Sequence, residues 1–187
     1  MARTPPVSAT LTPRWQSGIT LLEIVVCTCV MAITTAIAAP SMGKLIERQR
    51  AISANHQLIT HLAQARMAAI TRRMPAILCP SRNGSTCSAD TNWGEGWLLF
   101  LDRDGNRQPD HPDDIVSADN IPLSRHLKLT STAGRKQVRY LPDGRSAGSN
   151  LTISICNQKG ELLSSVIVNN VGRARSSRPT TPTACPG

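Results

Sequence analysis

The chain has 187 residues, of which only five are aromatic, and a formal net charge of +9. With so few rings, the core must be mainly aliphatic, and a row of aromatic side chains for stacking bases is excluded. The charge is uneven: residues 79–120 carry three basic and eight acidic side chains, whereas residues 121–187 carry ten basic and two acidic ones. The basic last third indicates either a polyanionic partner, such as nucleic acid or anionic lipid, or a solvated basic face.

The N-terminal region combines a short basic leader with a long apolar run. Residues 1–18 contain two Arg and three Pro and show no periodicity, and the run from Ile19 to Ala39 is almost wholly apolar. That run has about the length of a helix that crosses a bilayer, and the basic leader predicts a cytoplasmic N-terminus. Glu23 lies inside the run, where a charge is costly unless it is paired, so we interpret it as functional. A secretory signal peptide or a plain membrane anchor are the alternatives.

A single helix is predicted for residues 19–73, and residues 19–39 are its transmembrane part. Pro40 is expected to kink it, and Pro75 to end it. Apolar residues near heptad spacing predict one buried stripe on its second half, which would pack against the chain's own β domain or against another subunit. These residues are Leu45, Ile52, Ile59, Leu62, Ala69 and Ile70.

Short apolar segments then predict a β-rich domain over residues 74–171. The segment 96–101 is apolar throughout, so we expect a strand covered on both faces, whereas 151–157 alternates, with Leu151, Ile153 and Ile155 on one side. After Gly172 the apolar pattern ends, and residues 172–187 are predicted to be a basic tail outside the core. The predicted strands are 76–79, 96–101, 115–117, 127–132, 137–141, 151–157 and 162–169.

The six cysteines fall into three pairs along the chain. Cys27 and Cys29 lie in the apolar run and are expected to be reduced. If the β-rich domain lies outside the cytoplasm, Cys79 with Cys87 and Cys156 with Cys185 can form disulfides. A zinc site is the less favoured alternative, because the four His do not cluster with the Cys at zinc-like spacing. We therefore expect disulfides, no metal and no cofactor.

The acidic loop over residues 102–114 has two interpretations. Its Asp and Asn residues resemble alternating calcium ligands, but Gly105 is at the fourth position, and no Glu closes a twelve-residue loop. A hairpin with a solvated acidic tip is the favoured interpretation. No nucleophile, base and acid stand in a catalytic pattern, so the chain is not predicted to be an enzyme.

The N-terminal residues resemble a type IV prepilin. Gly18 is followed by Glu23 as the fifth residue after it and by Pro40 as the twenty-second. The resemblance implies cleavage by a prepilin peptidase between Gly18 and Ile19 and methylation of the new N-terminus, although Ile19 stands where the family usually has Phe or Met. It also implies that Glu23 pairs with the N-terminal amine of a neighbouring pilin during assembly.

The β-rich region is similar to the FimT/GspH group of minor pilins and pseudopilins. The similarity rests on Cys79-Pro80-Ser81, on Cys87, on the Trp93–Trp97 stretch and on the ending from Cys156 to Cys185. It implies an α+β fold in which the long pilin helix packs on a C-terminal antiparallel β-sheet domain. It also implies a single-pass inner-membrane protein with a periplasmic domain that later enters a pilus.

Some FimT-type proteins are linked to DNA uptake through a C-terminal G-R-x-R motif. Gly172, Arg173 and Arg175 match this motif, and Arg178 adds a cation beyond it. The resemblance therefore implies a minor type IV pilin that binds DNA phosphates without sequence specificity during natural transformation. The alternative is a GspH-like pseudopilin of type II secretion, or a minor pilin that primes pilus assembly, and neither would bind DNA.

Overall fold

The computed structural model describes residues 18–120, 123–148 and 150–186, without the side chains of residues 37–41. The predicted leader lies outside the described residues, apart from Gly18. The chain divides into two compact units, residues 1–42 and residues 43–187.

The first unit contains the beginning of the helix α1 (Leu21–Arg72). Thr20 caps this helix, since its Oγ1 accepts a hydrogen bond from the Glu23 N–H at 3.3 Å. Cys27 and Cys29 are free thiols and are exposed, as are Leu21 and the other large apolar side chains described here. Within the described residues, no helix combines the length and the apolar character that crossing a bilayer requires.

In the second unit, α1 buries a face rich in alanine. Of the residues predicted to form the buried stripe, Leu62 and Ala69 are buried, but Leu45 and Ile70 are exposed. The prediction was therefore partly wrong: small residues face the sheets, because they let the helix backbone approach closely, and the larger Ile side chains lie at the border. The buried face consists of Ala51, Ala54, Leu58, Leu62, Ala65 and Ala69.

Eight strands form two antiparallel sheets, one in the order β3-β2-β1-β5 and the other in the order β4-β6-β7-β8. All seven predicted strands are present, within a few residues of their predicted bounds. A short 3-10 helix, Pro112–Asp114, precedes the third strand. The strands are β1 (Ala76–Pro80), β2 (Trp97–Leu101), β3 (Ile115–Asp119), β4 (Leu127–Ser131), β5 (Val138–Tyr140), β6 (Leu151–Asn157), β7 (Leu162–Val168) and β8 (Ala174–Ser177).

The main core lies where α1 meets both sheets, and a smaller cluster covers the other face of the first sheet. Strand β2 contributes to both: Leu99 faces the main core, whereas Leu98 and Phe100 belong to the smaller cluster. The prediction that residues 96–101 are covered on both faces is thus confirmed. The α+β fold with a long helix on antiparallel sheets is confirmed as well.

The C-terminal segment differs from the predicted tail. Residues 174–177 form β8, which pairs with β7 in the register Val168↔Ala174 and Ile167↔Arg175. The sequence pattern did not predict this strand. One face of an edge strand can lie in water, so such a strand needs few apolar residues, and here Ala174 supplies the contact with the core. The predicted disulfides Cys79–Cys87 and Cys156–Cys185 are both present, and the second ties the segment to β6.

Candidate polyanion-binding site

Two arginines lie side by side on the outer edge of the second sheet. Ala174 packs partly against the core, so Arg173 and Arg175, which alternate with it, point away from the core, and both are exposed. They lie about 7 Å apart along an extended backbone. Because β8 is the last strand in the order β4-β6-β7-β8, no further strand in the described part of the chain pairs with its outer backbone edge.

The turn before β8 is fixed by backbone hydrogen bonds. The Asn169 side-chain oxygen accepts the Arg173 N–H at 2.9 Å, and the Asn169 carbonyl accepts the Gly172 N–H at 2.8 Å. A further bond, from the Ser146 N–H to the Asn170 carbonyl at 3.1 Å, joins this turn to the loop after β5. The backbone that presents Arg173 is therefore held in one conformation.

Gly172 has a structural reason to be glycine. It is buried and has a φ of +81°, and a Cβ placed on it would lie 2.1 Å from the Gly144 carbonyl oxygen. A glycine at this position permits either a turn of the backbone or a close approach to a ligand. The close approach is instead to the protein's own backbone, so the contact with a ligand would come from the arginines.

The tertiary structure brings further cations to this junction. A Cβ on Gly144 would lie 3.2 Å from Arg66 Nε, which places an α1 arginine at the loop that contacts Gly172. No local sequence pattern indicates that Arg66 lies at this junction. Arg145 lies in the same loop, but its Nε donates to Asp143 at 2.7 Å, and hydrogen bonds from its backbone and side chain lower the pKa of Asp143.

Tyr140 lies beneath this junction, with its Cε1 close to Gly172. Burial raises its pKa to about 12, although the nearby positive charge of Arg66 acts in the opposite direction. Among the described residues its hydroxyl has no hydrogen-bond partner. The tyrosine thus acts here as a neutral apolar support.

Acidic residues of the middle of the chain pair with arginines close to them rather than with the C-terminal arginines. In the described part of the chain, no carboxylate forms an ion pair with Arg173, Arg175 or Arg178. The arginine–aspartate pairs that the structure shows are Arg82–Asp90, Arg103–Asp114, Arg139–Asp102 and Arg145–Asp143.

Arg178 has a different environment from Arg173 and Arg175. It lies beyond the end of β8 and lines a cleft of about 740 Å³ between the C-terminal segment and α1. Lys44, Arg48 and Lys159 line the same cleft, together with Glu47 and Glu161. Its surroundings are therefore of mixed charge.

Two carboxylates of the acidic loop between β2 and β3 form hydrogen bonds within the loop. Asp104 accepts the Asn106 N–H at 3.0 Å, and Asp110 accepts the Asn106 side-chain amide at 2.8 Å. The pairing of β2 with β3 makes this segment a long hairpin. Throughout the described residues, no three or more His, Cys, Asp or Glu side chains come together as metal ligands.

The fold is that of known pilin subunits. The type IV minor pilin FimU of Pseudomonas aeruginosa is 17% identical, with 71% of this chain and 98% of that chain covered and a TM-score of 0.54. The minor pseudopilin EpsH from the type 2 secretion system of Vibrio cholerae is 14% identical, with 71% and 99% covered and a TM-score of 0.51. No curated protein matches the chain. These likenesses define the class as pilin-type α+β proteins.

A family model makes the assignment more specific. The model described as type II transport protein GspH matches residues 54–172, well over half of the chain. The chain therefore belongs to the GspH family and is a minor pilin or pseudopilin.

Proposed function

We propose that this chain is a FimT-like minor pilin that binds the phosphate backbone of extracellular DNA for uptake in natural transformation. One observation carries the proposal: Arg173, directly before the edge strand β8, and Arg175, within it, are both exposed, and neither forms an ion pair with a carboxylate of the described residues. Two unneutralised guanidinium groups on one rigid edge form a surface that a polyanion would recognise.

The chemistry of arginine suits a phosphodiester. Each guanidinium presents a planar fork that can donate two hydrogen bonds to one phosphate. Because the edge strand and the Asn169 hydrogen bonds fix the backbone, little conformational entropy would be lost on binding. The only aromatic residue of the sequence after Phe100 is the buried Tyr140, so no row of aromatic side chains is available here for stacking bases. The binding would therefore be independent of sequence and sensitive to salt.

The N-terminal residues support filament assembly as the route to the cell surface. In this proposal the prepilin peptidase cleaves between Gly18 and Ile19, residues 19–39 hold the chain in the inner membrane, and Glu23 pairs with a neighbouring pilin. Glu23 is exposed at the beginning of α1, where its side chain is accessible to a neighbouring subunit. The periplasmic domain would then leave the membrane as part of a pilus.

DNA-binding measurements on the full chain test the proposal. The protein would be kept in a non-ionic detergent, because its first helical residues expose apolar side chains. Fluorescence anisotropy with labelled double-stranded DNA would compare the wild type with Arg173→Gln/Arg175→Gln. We expect at least about a tenfold loss of affinity, since each charged hydrogen bond contributes roughly 1.5–3 kcal/mol.

A matched variant controls for net charge. Arg125→Gln/Lys128→Gln also removes two exposed cations, at a different place on the domain, and should bind DNA nearly as the wild type does. Equal losses in both variants would show that only overall charge matters. Unchanged binding by the Arg173/Arg175 variant would remove the mechanism.

The second candidate is a pseudopilin of type II secretion or a pilus-priming minor pilin without DNA binding. The family description and the likeness to EpsH favour it. In that case the wild type would not bind DNA even at low salt, and deletion of the gene would abolish secretion or piliation.

A further inference from the structure

A second basic cleft lies away from the edge strand, on the domain formed by residues 43–187. It has a volume of about 520 Å³ and lies between the Cys87–Ala89 segment, the acidic hairpin loop and the loop between β4 and β5. No Asp or Glu is among the described residues that line it. Its basic lining residues are Arg107, Arg135, Lys136 and Arg139.

A buried carboxylate connects two of these arginines. Asp102 is only 1% exposed; its Oδ1 accepts the Arg107 N–H at 3.1 Å, and its Oδ2 lies 3.7 Å from Arg139 Nε. Within the described residues, neither Asp102 Oδ2 nor Arg139 Nε has a hydrogen-bond partner. The buried carboxylate of Asp102 therefore contacts Arg107 and Arg139, but its single negative charge does not neutralise all the cations that line the cleft.

Two backbone features hold the cations in place. Arg107 has a φ of +66°, a left-handed conformation that a non-glycine residue adopts only when its surroundings impose it. Arg135 donates to the Ala147 carbonyl at 3.2 Å, and a Cβ on Gly148 would lie 2.3 Å from its Nη1. The guanidinium of Arg135 thus lies directly against the backbone at Gly148, so this cation is positioned before any ligand arrives.

We propose that this cleft binds a soluble small molecule that carries a phosphate group. A concave wall of three arginines and one lysine focuses positive potential and offers several N–H donors to a compact dianion. At about 30 Å³ per water, the volume holds well over ten waters, which leaves room for a larger body beside the phosphate. The site is independent of the DNA proposal, because Arg173, Arg175 and Arg178 do not line the cleft.

Calorimetric titration of the full chain in non-ionic detergent with inorganic pyrophosphate tests this site. Wild-type protein should bind saturably with one site. Arg107→Gln/Lys136→Gln should weaken binding at least about tenfold. Arg173→Gln/Arg175→Gln removes the same charge outside the cleft and should change pyrophosphate affinity less than about twofold.

Three results would overturn the proposal. They are no saturable binding by the wild type, equal weakening in both double variants, and wild-type affinity in the cleft variant. If Arg107→Gln/Lys136→Gln unfolds at a lower temperature than the wild type, substitutions of Lys136 alone replace it in the test, because Lys136 is exposed. Lys136→Gln should then weaken binding while Lys136→Arg retains it, and equal affinities would contradict the proposal. Failure of DNA binding at Arg173 and Arg175 would leave these outcomes unchanged.

Discussion

Gly172 and Gly144 pack backbone against backbone, with no room for a side chain on Gly172. A Cβ on Gly172 would lie 2.1 Å from the Gly144 carbonyl oxygen, and both glycines have positive φ angles, +81° and +78°. The contact joins the turn before β8 to the loop after β5. It therefore sets where Arg173 leaves the domain, although Gly172 itself is buried.

The first prediction concerns this contact. Gly172→Ala should lower the free energy of unfolding by about 2–4 kcal/mol, because it adds a steric clash to the strain of a left-handed conformation. Gly105→Ala is the matched control: Gly105 has a φ of +82° and nothing within 4 Å. It should cost only about 1–2 kcal/mol. Urea unfolding measures both, and equal costs would show that the Gly144 contact is unimportant.

The second prediction concerns the salt dependence of DNA binding. Engaging about three to five phosphates gives a log–log salt slope of roughly −3 to −5 for the wild type. Arg173→Gln/Arg175→Gln should reduce the magnitude of the slope by about 2, one for each lost phosphate contact. Anisotropy titrations over a series of salt concentrations measure it. A slope that is the same in this variant and the wild type would place the phosphate contacts elsewhere.

The third prediction concerns the Cys156–Cys185 disulfide. It closes a loop with a sequence separation of 29 residues, so Cys156→Ser/Cys185→Ser should destabilise the domain by about 3–4 kcal/mol. The variant should also bind DNA more weakly, since the segment after β8 would lose its attachment to β6. Cys27→Ser/Cys29→Ser is the control, because these thiols are free and exposed. Thermal unfolding compares the two, and similar shifts would contradict the prediction.

The fourth prediction concerns Tyr140, the only tyrosine of the chain. Burial raises its pKa to about 12 from an ordinary value of 10.0, so the ultraviolet absorbance of tyrosinate should appear near pH 12 in the folded protein. The raised pKa stabilises the fold fully below pH 10, and this contribution is lost as the pH rises towards 12.

Tyr140→Phe provides the comparison. The hydroxyl has no hydrogen-bond partner among the described residues, so this variant should change stability at neutral pH by less than about 1 kcal/mol. The stability of this variant should also decline less between pH 10 and 12, because it lacks the contribution of the tyrosine to that decline. A tyrosinate signal already complete near pH 10 in folded protein would show that the ring is accessible to water.

Local sequence patterns were sufficient for most elements of the fold. The alternation in residues 151–157 predicted both ends of β6 correctly. The wholly apolar segment 96–101 predicted a strand that is covered on both faces. The cysteine pairs gave both disulfides. Strand β8 was missed because its single partly buried residue, Ala174, carries too little apolar signal.

The class of protein and the antiparallel arrangement of its strands were implied by the resemblance to pilins. The sequence by itself determined a helix followed by short strands, two candidate cysteine pairs in the β-rich region, and a C-terminal third whose basic residues outnumber its acids. These features depend on neighbours along the chain, where periodicity and composition are visible. Only the tertiary structure decided which arginines have acidic partners, that Gly172 packs against Gly144, and that Arg66 joins the same junction. The reason is physical: ion pairs and backbone contacts depend on which distant segments the fold brings together, and that is set by core packing rather than by local pattern.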